Sequence, residues 1–324
     1  MKFFDLFPTP RFLSLAEAGI SISDRAIRYI AFKPAGAGAW RRAFSGEVPL
    51  PEGVVSGGIV NDKSTLTTAL LSMGKEHKMK FVRVAIPEDK AYLFTTSVDR
   101  LPYKDLKDAV AFTIEENAPV SLAKSVFSFE FIDKSTEVQA AVAVLPEEVV
   151  SAYTEAFEAA GLTPVSFDLE SQAIAKSIIK RGDDRPQLIV HLGERKVGFY
   201  LVQDGIVKFS STLAIDLPSL MTTDAVETLK SEIRKFFVFW EGKLTKDGRR
   251  GPAIEQVIVG GPKAADDLFV SNIMSEVEMP YTLANVWVNT AALEKHLPEM
   301  PFDESLAYTV AIGAALSAGP HAYV

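Results

Sequence analysis

The stretch IVHLGERKVGFYLVQDG, Ile189 to Gly205, reads as a strand, a tight turn and a second strand. An earlier stretch has the same outline. When GISISDRAIRYI, from Gly19, is set under IVHLGERKVGFY, from Ile189, the apolar positions coincide, and so do an acid followed by arginine in the turn and the strand after it. Ser21 falls on His191, Ser23 on Gly193, Asp24 on Glu194 and Arg25 on Arg195. Each copy is followed by further strand and helix text. A repeat separated by about half the chain indicates duplication, so two related halves are predicted rather than one continuous fold.

Composition bounds the rest. At 324 residues and 48% hydrophobic content the chain can bury a large core, and its length suits about two domains. No apolar run reaches the roughly 18 residues of a membrane span, and MKFFDLFPTPRFL at the N-terminus has neither a long apolar core nor a cleavage site. Export and membrane insertion are therefore not expected. The absence of cysteine excludes disulfides, thiol catalysis and thiolate metal sites. Four scattered histidines without paired spacing predict no metal site. A formal charge of −8 disfavours nucleic acid, and the one basic cluster, at Lys246 to Arg250, reads as a solvated loop.

From Phe12 to Glu47, strand-like runs alternate with turn residues and predict a meander of about three antiparallel strands. Leu66, Leu70 and Met73 recur at helical spacing within 63–77, and the buried strand FVRVAIP follows. TSVDRLP, a helix from Lys104 to Asn117 and the strands VFSFEFI and EVQAAVAVLP form a compact α+β insertion. Phe127, Phe129 and Phe131 share one face there at period two, the pattern of core residues. Val149, Tyr153, Ala156, Phe157 and Ala160 mark an amphipathic helix ended by Gly161. SFDLESQAIAKSII predicts a strand entering a helix, and Arg181 to Pro186 is the clearest linker.

The two hairpins, the insertion, VIVGGP at Val257 to Pro262 and AYTVAIGAAL at Ala307 to Leu316 together resemble the actin/Hsp70/FtsA superfamily. More narrowly, the chain resembles the type IV pilus assembly protein PilM family over nearly its whole length. The run from Val138 to Ala175 matches that family's passage from the insertion back into the body, and LKSEIRKFFVFW, Leu229 to Trp240, is similar to its long second-half helix. The resemblance implies an α/β, actin-like, two-lobed fold, a duplicated ribonuclease-H-like fold with a small inserted α+β subdomain of the SHS2 type. It places a first lobe at 1–87, the insertion at 88–146, a return to the first lobe and a linker at 147–185, a second lobe at 186–307, and a C-terminal helix and tail at 308–324.

In that superfamily each hairpin resembles D-x-G. The acid helps hold hydrated magnesium, and the glycine lets backbone N–H groups approach phosphate. The corresponding positions here are Ser21 and Ser23 in the first hairpin and His191 and Gly193 in the second, so both acids are missing. Asp24 and Glu194 lie by the phosphate path instead, where one carboxylate–phosphate repulsion at about 4 Å costs roughly 4 kcal/mol at an effective dielectric near 20. VIVGGP keeps Gly260 and Gly261, but Pro262 removes an N–H from the adenosine loop. The resemblance thus implies a degenerate nucleotide cleft, with Glu170 as its best surviving acid, no catalytic residue, no metal and no expected cofactor beyond weak ATP or ADP binding.

The function so implied is a cytoplasmic scaffold of a type IV pilus or related secretion assembly, peripheral at the inner face of the inner membrane. Its partners would be the cytoplasmic N-terminal peptide of a PilN-like inner-membrane protein, other assembly proteins and, as an open option, further copies of itself. The contact is expected near Tyr92, Phe94, Phe127, Phe129 and Phe131, with an exposed strand edge or apolar groove taking an extended peptide. The alternatives are a magnesium-dependent actin-like ATPase or kinase, or a GspL-like type II secretion component.

Overall fold

The computed structural model describes residues 17–36, 39–99, 101–133, 138–215, 223–242, 253–275, 277, 279–290 and 300–316. The N-terminal MKFFDLF, the basic cluster at Lys246 to Arg250 and the tail beyond Leu316 lie outside them. The meander forms as β1 (Glu17–Ile22), β2 (Ala26–Gly36) and β3 (Ala39–Pro49), consecutive antiparallel partners. A small hairpin, β4 (Val55–Ser56) with β5 (Ile59–Val60), leads into α1 (Lys63–His77). Asp62 starts α1, its carboxylate accepting the Thr65 N–H at 3.0 Å, a cap that stabilises a helix by about 1 kcal/mol. Leu66, Leu70 and Met73 of α1 are fully buried, as their spacing predicts.

β6 (Phe81–Ile86) joins β1 in parallel, and β10 (Thr163–Leu169) joins β6, so the first sheet runs β10-β6-β1-β2-β3. The second sheet repeats this wiring. β11 (Gln187–Leu192), β12 (Lys196–Gln203) and β13 (Ile206–Ala214) are an antiparallel meander, and β14 (Gln256–Gly260) and β15 (Tyr281–Leu283) add in parallel, giving β13-β12-β11-β14-β15. The registers agree residue for residue: Ser21 pairs with Arg28 and Ile22 with Ile27, as His191 pairs with Gly198 and Leu192 with Val197. The turn that closes the quoted stretch has Asp204 and Gly205 at φ 59° and 72°, the left-handed pair that a two-residue hairpin of this hand requires.

Between β6 and β10 lies the insertion: β7 (Tyr92–Val98), α2 (Tyr103–Asn117), β8 (Ser125–Asp133) and β9 (Val138–Pro146), with sheet order β7-β9-β8. Val110 and Ile114 of α2 pack on Val142 and Val144 as a core of its own. The chain returns through α3 (Glu147–Ala159), which buries Tyr153, Ala156 and Phe157 in the first lobe, and Gly161 ends it at φ 74°. In the second lobe α5 (Thr223–Gly242) buries Leu229, Ile233, Phe236 and Trp240, each stabilising by about 1.5–3 kcal/mol. α6 (Asp267–Met274) packs beside it in the same core.

Two helices tie the halves together. α4 (Glu170–Ile178) follows β10, and α8 (Thr309–Ala315) follows α7 (Phe302–Ala307) near the end of the described chain. They cross so closely that a Cβ on Gly313 would lie 1.7 Å from the Ala173 carbonyl, and one on Gly19 would lie 2.1 Å from the Ala311 carbonyl. The C-terminal helix therefore seats on β1 of the first lobe, while Ile312 and Leu316 join the core of the second.

Candidate functional site

The turns of the two matched hairpins lie near one another but are wired differently. In the first, Ser23 closes its own loop: its Oγ donates to the Ala26 carbonyl at 3.1 Å and accepts the Ala26 N–H at 3.2 Å. Ser21 is buried, with its hydroxyl toward the Arg28 carbonyl at 3.5 Å. Asp24 turns to the β4–β5 hairpin and accepts the Gly57 N–H at 3.4 Å. Burial raises the Asp24 pKa above the ordinary carboxylate value, against the opposing hydrogen bond from Gly57.

The second turn has few local partners and reaches outward instead. Glu194 accepts from Arg28 at 2.6 Å, Arg195 donates to Glu52 at 2.8 Å, and Lys196 places its Nζ 2.6 Å from Glu170 and 3.0 Å from Asp89. Three successive side chains of the second lobe thus pair with carboxylates or a guanidinium carried by residues 28–170. Burial opposes the charge on Lys196, but the attraction of Glu170 and Asp89 outweighs it and holds the ammonium's pKa well above the ordinary value. Arg28 also binds Glu47 at 2.6 Å, so it serves both lobes.

His191 is buried, with Nδ1 lacking a hydrogen-bond partner among the described residues. Burial pushes its pKa down from 6.5 to about 4, with the Lys196 charge adding to the fall and Glu170 opposing it, so the ring is neutral at neutral pH. Glu88, just after β6, shares the neighbours Glu170 and Lys196; its Oε2 accepts the Ser171 N–H at 3.1 Å, while Oε1 has no hydrogen-bond partner among the described residues. Burial, with a smaller push from Glu170, raises the Glu88 pKa to about 7.

The glycines predicted to approach a phosphate are taken up by the fold itself. A Cβ at Gly193 would lie 2.7 Å from the Lys196 carbonyl, so this glycine is taken up by the close packing of its own turn. Gly261, at φ 91°, brings its backbone against Leu192, where a Cβ would come within 2.6 Å of the carbonyl. Gly260 packs on Ala284, and Pro262 opens a 3-10 turn, 262–265.

The structure therefore brings Ser21, Ser23, Asp24, Glu170, His191, Gly193, Glu194 and Gly260 to Pro262 to neighbouring strand ends and turns. Lys196, Glu88, Asp89, Arg28 and Glu52 were not singled out by the sequence reading. A usable signal existed for two of them, since Glu88 and Asp89 directly follow a buried strand of the parallel kind, and ligand-facing groups sit at the carboxyl ends of such strands. Among the described residues no group of three or more His, Asp or Glu is arranged to hold a metal ion.

The aromatic set takes a different position. Tyr92, Phe94, Phe127, Phe129 and Phe131 flank β9 on the face covered by α2, half-buried, with Phe129 and Phe131 ring centroids 5.0 Å apart. The groove beside the insertion is lined from the sheet's other face by Leu93, Ser128, Glu130 and Ala141, with Phe129 at its rim. Gln172, Ala175 and Lys176 of α4 and Gly205 to Val207 at the start of β13 form its far wall.

The sequence profile of the type IV pilus assembly protein PilM family matches residues 19–210. The chain belongs to the PilM family. Among solved structures, the PilM–PilN type IV pilus biogenesis complex superposes with a TM-score of 0.76 at 18% identity, covering 94% of this chain and 98% of that one. The cytoplasmic domain of EpsL, an inner membrane component of the type II secretion system of Vibrio cholerae, gives 0.53 at 11% identity, over 94% and 96%. Ethanolamine utilization protein EutJ from Carboxydothermus hydrogenoformans gives 0.50 at 11%, over 93% and 89%. No curated protein matches by sequence. These likenesses bear out the actin-like fold, and membership of the PilM family carries a role in type IV pilus assembly. No helix among the described residues is long and apolar enough to cross a membrane.

Proposed function

We propose that this PilM-family chain is a docking platform that captures the cytoplasmic N-terminal peptide of a PilN-like inner-membrane protein and does not hydrolyse ATP. The observation that carries the reading is the groove between the insertion and α4. Its one wall ends in β8, an edge strand of the β7-β9-β8 sheet, and its other wall presents Lys176, Ile206 and Val207. An extended peptide could pair with such an edge through main-chain hydrogen bonds and seat alternate side chains against the walls.

The cleft supports the second half of the proposal. A magnesium-bound triphosphate does not fit the residues present. An ammonium already lies between Glu170 and Asp89, Ser21 and His191 stand where metal-holding acids would be, and Gly261 is packed on Leu192. His191, neutral and nitrogen-bearing, is a poor member of an oxygen-rich magnesium shell. Peripheral attachment at the inner face of the membrane would then come through the partner.

Calorimetric titration of the full chain with a synthetic N-terminal peptide of the cognate PilN-like protein tests the reading. Saturable binding is expected, unchanged by Mg·ATP, and Ser128→Arg should weaken it by about tenfold or more, which is about 1.4 kcal/mol. Binding unaffected by Ser128→Arg, or steady phosphate release by the purified chain, would contradict it.

A further inference from the structure

The turn from Gly193 to Lys196 makes one more assignment. Its three charged residues leave their own hairpin in succession: Glu194 to Arg28, Arg195 to Glu52, and Lys196 to both Asp89 and Glu170. The four partners come from four different segments: β2, the loop after β3, the loop after β6, and the first residue of α4. One four-residue turn is therefore ion-paired around the rim of the opposite lobe. The contacts are graded in exposure. Lys196 and Glu170 side chains are 23% and 18% exposed, and Arg28 and Glu194 13% and 29%, whereas Glu52 is 81% exposed.

Coulomb attraction at such distances is strongest where water is excluded, and an exposed pair contributes little. The inner two pairs therefore dominate. Lys196 is the central element because a single ammonium pairs with two carboxylates at once, and Asp24 adds a third negative charge nearby. Without it, Asp89, Glu170 and Asp24 would be left as an uncompensated cluster of negative charge on the rim of the first lobe, with nothing from the second lobe paired to them. Glu170 also lies one turn from Ala173, the point where α4 and α8 touch backbone to backbone at Gly313. The pairing thus acts on the helix about which the two halves meet.

We infer that the Glu194–Arg195–Lys196 turn is an electrostatic latch that holds the two lobes closed by the chain's own charges, without a bound nucleotide or metal. The latch fixes the relative position of the lobes, and so the far wall of the groove, where β13 of the second lobe faces β8 of the insertion. It is independent of the peptide reading, because its readout contains no partner.

Since the chain has no cysteine, a spin-label pair can be introduced cleanly at Lys75→Cys on α1 and Leu268→Cys on α6, both exposed and in different lobes. Pulsed dipolar distance measurement on the full chain should give one narrow distribution, the same with and without Mg·ATP. Lys196→Met should broaden it and move it to longer distance. Should that variant fail to fold, Glu52→Gln combined with Glu194→Gln removes one exposed and one partly buried carboxylate, and it should broaden the distribution less but measurably, chiefly through the loss of Glu194. A distribution unchanged in whichever of these variants stays folded would overturn the latch. So would a broad native distribution that narrows only when Mg·ATP is added.

Discussion

The two hairpins share a register and differ in where their turns spend their polar groups. The first turn is satisfied locally, with Ser23 holding both backbone groups of Ala26 and Asp24 engaged by Gly57. The second has Gly193 in place of Ser23 and Lys196 in place of Ala26, so the local hydroxyl bonds are gone and a long cation has been gained. Hairpins of one register can therefore serve as a closed corner in one lobe and as a clasp in the other. Within the turn three positions differ, Ser23/Gly193, Asp24/Glu194 and Ala26/Lys196, with no change in strand pairing.

The largest expected effect breaks the clasp. Lys196→Met leaves Asp89 and Glu170 facing each other without a counter-charge, which for a buried pair costs about 3–5 kcal/mol. The side chain keeps 23% exposure, so about 2–3 kcal/mol is expected by urea denaturation. Adding Glu170→Gln should recover part of that loss. A double-mutant cycle with no coupling would show that the pair does not act as a unit.

The next two predictions concern the buried titratable groups, and their signs oppose. Glu88 has its pKa raised from 4.5 to about 7 by burial, so its contribution is fully present below about pH 4.5 and is lost as pH rises toward 7. Glu88→Gln should therefore leave stability unchanged at pH 4.5 and raise it by about 2 kcal/mol at pH 8. His191 has its pKa lowered from 6.5 to about 4, so its contribution is present above pH 6.5 and is lost as pH falls toward 4. His191→Ser, which installs the first hairpin's residue, should cost packing at pH 8 but cancel that acid loss, about 1–2 kcal/mol at pH 5. In the native chain the two slopes offset one another between about pH 4.5 and 6.5. Thermal melts across that range should therefore slope less in the native chain than in either variant.

The duplication, the insertion and most elements were legible in the sequence because they rest on periodicity. Leu66, Leu70 and Met73 predict α1 by spacing, and the second hairpin was visible from its apolar arms alone. The correspondence of Ser21 with His191 was legible too, and the two registers place them at matched positions. The clasp was not. Lys196 finds Asp89 and Glu170 at 107 and 26 residues' separation, and no local pattern encodes a pairing that depends on how two lobes close. The aromatic positions show the same limit in another form. Alternation along VFSFEFI sets Phe127, Phe129 and Phe131 on one face, but only the position of α2 decides that this face is covered and that the groove opens on the other.

The smallest effect tests the corner rather than the clasp. Ser23→Gly gives the first turn the residue that the second one has. It removes the hydroxyl that donates to the Ala26 carbonyl and accepts the Ala26 N–H, and hydrogen bonds of this kind contribute about 1 kcal/mol net. The backbone bond from Ser23 N to Ala26 O at 3.0 Å survives, and added glycine freedom in the unfolded chain costs a further few tenths. A loss of about 1 kcal/mol in urea is therefore expected. Because no partner of Ser23 among the described residues lies in the other lobe, the distance between labels on α1 and α6 should stay as narrow as in the native chain. If the distribution broadened, the first turn would also be holding the lobes together, and the contrast between corner and clasp would be lost.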